Sequence, residues 1–293
     1  MVLAMGVRCD DSSMDVPPDE QWMSMTDYYP SWSAATGLIA FIHSRVPGSD
    51  DPDSSGIYVI APDGTQKTLL YEYTYLYSVD WSPDGQWLLV NANRRLVRIQ
   101  FPGGAVDTLT GAGEYWRAVL SPDGSSLAYG NHSGDSMGIY TMPVGGGQAQ
   151  HIIPTGTSVD WPYPDSLLHI TWHEGFPSGA VIMSDTSGNP VRTVWSPGDN
   201  FMPFTAEPRM HRASRRIVIR VQEEDQRQSI WKIEPGQSRA SKLCSYAETT
   251  EFSPDGNQIV FTDIHVGNGR LWIINWDGSG LRQLTHYTAF TSG

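Results

Sequence analysis

Short apolar runs recur along the chain, each separated from the next by a tight polar turn. The clearest copies are Asp80-Trp81-Ser82-Pro83-Asp84-Gly85, Leu120-Ser121-Pro122-Asp123-Gly124 and Phe252-Ser253-Pro254-Asp255-Gly256. Apolar stretches follow them at Trp87–Val90, Leu127–Tyr129 and Ile259–Phe261. Proline presets the first corner of a turn, Asp bonds the chain two residues on, and Gly accepts the positive φ that closes it, so each copy reads as strand, turn, strand. Weaker copies at Trp32-Ser33, Trp161-Pro162-Tyr163-Pro164-Asp165 and Phe204-Thr205 complete six anchors, with intervals between 39 and 49 residues. A second turn signal recurs within every repeat, from Pro62-Asp63-Gly64 to Asp277-Gly278, and each follows an apolar third strand such as Ile57–Ile60 or Leu271–Ile274. No stretch reads as a helix. This period predicts an all-β fold, a six-bladed β-propeller of four-stranded antiparallel blades over residues 26–293, after a polar leader at 1–25.

The Trp-Ser-Pro-Asp-Gly repeat, together with Leu271-Trp272-Ile273-Ile274-Asn275-Trp276-Asp277-Gly278-Ser279-Gly280-Leu281-Arg282-Gln283-Leu284-Thr285, resembles the blades of TolB-like six-bladed propellers. The resemblance covers the chain from about Thr26 onward. It concerns the propeller alone, because TolB carries an additional α/β domain before it. It implies a protein or peptide partner at the channel mouth and a bacterial envelope or periplasmic address, with the cytoplasm as the alternative. A scaffold that hosts unrelated functions leaves carbohydrate binding, or polysaccharide cleavage by a lyase or hydrolase, as the alternative.

Composition narrows the partners. Nineteen Lys and Arg against 32 Asp and Glu give a formal charge of −13 over 293 residues, which repels a phosphate backbone and argues against nucleic acid. A mean hydropathy of −0.33, with no apolar run near the roughly 20 residues of a membrane span, predicts a chain without a transmembrane segment. The apolar start ending at Arg8-Cys9-Asp10 makes a lipoprotein-type leader one reading and a polar tail the other. Two cysteines, Cys9 and Cys244, are too few for a disulfide framework. A single closed domain is expected, acting as a monomer.

If the Ser-Pro-Asp-Gly turns join first to second strands, all tight turns lie on one face and the long loops, such as His43–Ser55 and Asp263–Gly269, lie on the other. Loops on a rigid scaffold usually carry function, so the loop-rich face around the channel is the expected binding surface. Four residues before each anchor stand Tyr28, Tyr77, Trp116, Thr157, Asn200 and Glu248. The three aromatics are either ligand anchors or packing between blades. A basic island of Arg209, Arg212, Arg215, Arg216 and Arg220 in the fifth repeat either receives a carboxylate or answers nearby acids. Tyr28, Tyr77, Trp116, Arg209, Arg212 and Arg215 are therefore the candidate ligand contacts. No catalytic or metal-ligating set is legible: the eight His are dispersed, Asp50–Gly56 lacks the spacing of a calcium loop, and no Gly-x-Ser-x-Gly elbow or phosphate-cradling Gly loop is present. No cofactor is expected, and the reading is of a module that is not an enzyme.

Overall fold

The computed structural model describes residues 27–45, 53–113, 115–131, 137–171, 179–196, 204–223, 227–237, 239–264 and 269–286. They form six four-stranded antiparallel sheets, each built from consecutive strands. No helix occurs among the described residues. The innermost strands are Asp27–Trp32, Leu76–Trp81, Trp116–Leu120, Gly156–Tyr163, Phe204–Met210 and Ala247–Phe252. The architecture is the six-bladed β-propeller expected from the repeat.

The repeated turn is a hydrogen-bonded unit. In the second blade Ser82 Oγ donates to Asp84 Oδ1 (2.6 Å), the Gln86 amide donates to the same oxygen (3.0 Å), and the Trp87 amide donates to Ser82 Oγ (3.0 Å). The set recurs in the third blade with Ser121 and Asp123, and in the sixth with Ser253 and Asp255. Gly85, Gly124 and Gly256 take φ values of 69°, 71° and 70°, the left-handed conformation that favours Gly. The fifth blade makes its turn from His211 to Arg215, with Arg215 in the left-handed position (φ 58°) and the Arg215 amide donating to the His211 carbonyl (2.8 Å).

That turn corrects one anchor. Phe204 begins the inner strand of the fifth blade rather than ending it, and Met210 is the equivalent of Trp32, Trp81, Leu120, Trp161 and Phe252. The misplacement arose because Arg209-Met210-His211 carries neither a Trp nor a Ser-Pro-Asp-Gly turn. The position four before the anchor in this blade is therefore Ala206; Asn200 lies outside the described residues.

Six apolar clusters fill the six joints between neighbouring blades. The seam between first and sixth blades packs Ile39, Phe41, Tyr58 and Ile60 against Val260, Leu271, Ile273 and Leu284. Among the described residues no strand is exchanged across it. Instead, the Asp27 amide donates to the Gly269 carbonyl (3.1 Å), the Tyr29 amide to Thr249 Oγ1 (3.2 Å) and Arg282 to the Pro62 carbonyl (2.6 Å). No helix of the described residues is long and apolar enough to cross a membrane.

Candidate functional site

Each inner strand ends in an apolar anchor, and strand alternation turns the residue before it the other way, towards the channel. That residue is Ser31, Asp80, Val119, Asp160, Arg209 and Glu251 in blades one to six, and all six line one cavity of about 360 Å³. Turn residues Ser33, Ser82, Pro162, Arg212 and Ser253 form its rim, so the cavity opens on the face of the tight turns. Carboxylates thus stand on alternate blades, two, four and six, with a single Arg between the last two.

Several of these side chains also tie one blade to the next. Ser31 Oγ accepts from the Trp81 amide (3.1 Å), Asp80 Oδ2 from the Leu120 amide (3.1 Å) and Asp160 Oδ2 from the Met210 amide (2.9 Å). Arg209, 4% exposed, places Nη1 2.9 Å from Asp160 Oδ1 and Nε 3.6 Å from Glu251 Oε2. Burial opposes the Arg209 charge, but Glu251, Asp160 and Asp80 outweigh it and raise its pKa. Burial pushes the Glu251 carboxyl up to about 7; Arg209 pulls it down, while Asp160 and Asp80 push it further up. Asp80 is raised too, by burial, against the pull of Arg209.

Deeper in, the channel is stoppered. A strand irregularity in every blade lies at this level, and Tyr29, Glu207 and Thr249 there adopt left-handed φ values of 51°, 55° and 29°. Arg117 of the third blade reaches across: its Nη1 donates to Glu207 Oε2 of the fifth (2.8 Å), and its guanidinium lies 5.7 Å from the Tyr29 ring centroid of the first. Both members of the ion pair are buried, with side chains 3% and 5% exposed. Burial and the nearby Arg209 lower the pKa of Arg117, and Glu207 partly restores it. Arg220 extends the network, 3.9 Å from Glu207 and 3.8 Å from Glu248. Burial raises the phenol of Tyr29 and the carboxyl of Glu248. The cavity is therefore a funnel, and a buried ion pair spans the channel between the third and fifth blades.

The six sequence-predicted contacts divide between the two faces. Arg209 stands in the funnel floor, Arg212 on its rim, and Arg215 is exposed in the same tight turn. Of the rest of the island, Arg216 lies over the Trp276 ring (5.1 Å) and donates to the Gly256 carbonyl (2.8 Å), while Arg220 belongs to the stopper. On the loop-rich face Tyr28 packs between blades: it is half-buried, donates to the Leu76 carbonyl (3.3 Å), and burial pushes its phenol up to about 12. Tyr77 and Trp116 are 47% and 43% exposed, and Tyr75, which the repeat offset did not select, is 62% exposed. Much of this face, including residues 46–52, 132–136, 172–178 and 265–268, lies outside the described residues, as do Asp50 and Asp51 of the acidic loop.

The funnel acids Asp80, Asp160 and Glu251, and the stopper pair Arg117 and Glu207, escaped the sequence reading. The available signal was a polar residue immediately before, or three before, an apolar anchor. Chemically, the site is built to hold charge. Its lining His211 is engaged on both ring nitrogens: Nε2 donates to the Pro254 carbonyl (3.1 Å), which leaves Nδ1 to accept from the Ser214 hydroxyl (2.8 Å). Among the described residues no group of three or more His, Cys, Asp or Glu converges enough to hold a metal ion.

Comparison with solved structures follows the same lines. TolB from Acinetobacter baumannii superposes with a TM-score of 0.71 at 17% identity, covering 86% of this chain and 65% of that one. The fold is that of the TolB-like propellers. A putative TolB from Agrobacterium tumefaciens gives 0.63 at 20% identity, covering 75% and 84% of the two chains. The propeller fold extends to an oligogalacturonate lyase in complex with manganese, at 0.58 and 12% identity over 92% and 80%. This chain thus spans just under two-thirds of the Acinetobacter protein's length. No family model and no curated protein matches the chain.

Proposed function

We propose that this TolB-like propeller is a non-enzymatic interaction module that receives a protein or peptide partner at the mouth of its central channel. The observation that carries the reading is the funnel at the hub, to which all six blades contribute and in which Arg209 is held by Asp160 and Glu251. A partner segment entering it meets fixed charge in a partly desolvated pocket, where charged hydrogen bonds contribute most to specificity. The address we propose is the bacterial cell envelope, which rests on the resemblance of the repeats, and the working unit a monomer, which rests on the single closed ring of blades.

A second reading is favoured by the exposed rings of Tyr75, Tyr77 and Trp116 on the loop-rich face, which suit stacking against sugar rings. One experiment separates the two. Partners captured from an envelope extract are compared for the wild type, Arg212→Glu and Trp116→Ala. Loss with Arg212→Glu alone supports the funnel. Loss with Trp116→Ala alone, together with retention on an oligosaccharide column, supports the carbohydrate reading, and capture unchanged by either variant overturns both.

A further inference from the structure

The blades repeat one another closely enough for one exception to stand out. In each blade one residue of the second strand and one of the third pack towards the preceding blade. By strand register these are Phe41 and Ile60, Val90 and Ile99, Tyr129 and Met142, Ile219 and Ile233, and Phe261 and Ile274 in blades one, two, three, five and six. All ten are buried. In blade four the same two positions hold His169 and Ser184, equally buried, with Nε2 2.8 Å from Oγ. Both line a cavity of about 280 Å³ in the joint with blade three. Its floor is buried, at His169, Ser184, Ile153 and Ile182, and its mouth is exposed, at Pro154 and Val191. A polar pair in place of two apolar side chains gives up packing and burial, and His169 Nδ1 has no hydrogen-bond partner. One joint of six thus departs from the packing of the others, at the place where a cavity opens.

We propose that this joint is a binding pocket for a small uncharged molecule carrying a hydroxyl on an apolar ring, the hydroxyl at the His169–Ser184 pair and the ring between Ile153 and Ile182. Size supports it, because an apolar cavity of about 150 Å³ already takes up benzene. Charge supports it too. No acid lines the cavity, so a cation finds no counter-charge. Burial lowers the imidazole to about 4 and leaves it neutral at neutral pH. Arg192 belongs to the lining, but strand register pairs it with Met183, which packs towards blade five, so an anion finds no partner at the floor. The hydroxyl follows from the tautomers. If Ser184 donates to Nε2, Nδ1 carries the proton; if Nε2 donates to Ser184, Nδ1 accepts. A hydroxyl, donor and acceptor at once, completes either arrangement. The pocket lies at the outer strands of blades three and four, apart from the channel mouth, and does not rest on the interaction-module reading.

The probes are p-cresol and p-xylene, two rings of the same shape in which a hydroxyl replaces a methyl group. Each is titrated at neutral pH into the wild type, His169→Phe/Ser184→Ile and Val191→Trp, with binding followed by calorimetry and by the NMR signals of the histidine rings. The double variant installs the pair that blade six carries, Phe261 and Ile274. Val191→Trp narrows the mouth from an edge strand where the side chain is 63% exposed, and leaves the floor intact. The expected result is p-cresol binding with a Kd below about 1 mM, at least tenfold tighter than p-xylene, with the His169 ring signals displaced. Either variant should weaken p-cresol at least tenfold, and the double variant should melt at a higher temperature than wild type. If the double variant fails to fold, Val191→Trp decides alone. Equal binding of the two rings shows an apolar hole and overturns the proposal. So does the absence of p-cresol binding, which leaves the cavity to water, and so does p-cresol binding that every folded variant retains.

Discussion

Replacing Arg117 by Met tests whether the stopper holds the hub together. The substitution conserves much of the buried volume but leaves Glu207, whose side chain is 5% exposed, without the guanidinium 2.8 Å away. Removing one member of a buried ion pair costs about 3–5 kcal/mol, because the remaining charge stays desolvated. Arg220 Nε, 3.9 Å from Glu207 Oε1, retains part of the compensation, which sets the expectation at the lower end, about 3 kcal/mol. In a chain of this size that corresponds to a drop in melting temperature of about 5 °C. Urea unfolding followed by fluorescence of the 11 Trp gives the free energy directly. The double variant Arg117→Met/Glu207→Gln removes the orphaned charge, and should recover most of the loss, giving a coupling energy of about 2 kcal/mol. A single-variant loss below about 1 kcal/mol, or strict additivity in the cycle, would refute the claim that these groups bear on one another across the channel.

Two pH dependences of opposite sign follow from buried groups. Glu251 is raised from 4.5 to about 7, so the native state holds its proton more tightly than the unfolded chain; the resulting stability is present in acid and is lost as pH rises towards 7. Glu251→Gln should flatten that part of the melting-temperature profile, and a profile identical to wild type would sink the assignment. His169, 3% exposed with Nε2 2.8 Å from Ser184 Oγ, is lowered by burial from 6.5 to about 4. Here the unfolded chain binds the proton, so stability is lost as pH falls from 6.5 towards 4, and His169→Gln should blunt acid sensitivity in the same melting series. Gly188→Ala drives a Cβ into the Ile152 carbonyl at a φ of 89°, and should cost more than about 2 kcal/mol by chemical denaturation. Gly37→Ala has the same left-handed strain (φ 74°) but no atom within 4 Å, and should cost only about 1 kcal/mol. Comparable losses at the two glycines would show that the contact contributes nothing beyond the backbone conformation.

The fold was legible because its turns are chemical units. Ser82, Asp84 and Gly85 each have one job that few other residues do, and the same trio recurs at fixed offsets, so blade count and the third strands could be read directly. The fifth blade was misread where His211–Arg215 makes the turn with different chemistry and a non-Gly residue in the left-handed position. The funnel was less legible for a different reason. Asp80, Asp160 and Glu251 lie on different blades, and their adjacency exists only after the ring closes. Arg209 was picked out by charge density along the chain, yet it shares neither surroundings nor exposure with Arg215, six residues on. The offset that selected Tyr28, Tyr77 and Trp116 located the mouth of the inner strand but could not tell which ring is covered by the next blade. Tyr28 is covered and Tyr77 is not, a distinction made by neighbours rather than by sequence position.

The seam between the first and last blades has a mechanical consequence. A propeller whose final sheet borrows a strand from the other end of the chain resists tension along a backbone ladder, whose hydrogen bonds must shear together. Among the described residues the seam is Ile39, Phe41, Tyr58 and Ile60 against Val260, Leu271, Ile273 and Leu284, with a handful of hydrogen bonds. Such a surface peels, one contact at a time. Pulled from both ends, the ring should part first between Asp27 and Gly269 and then shed whole blades in succession, a sawtooth of small forces rather than one high peak.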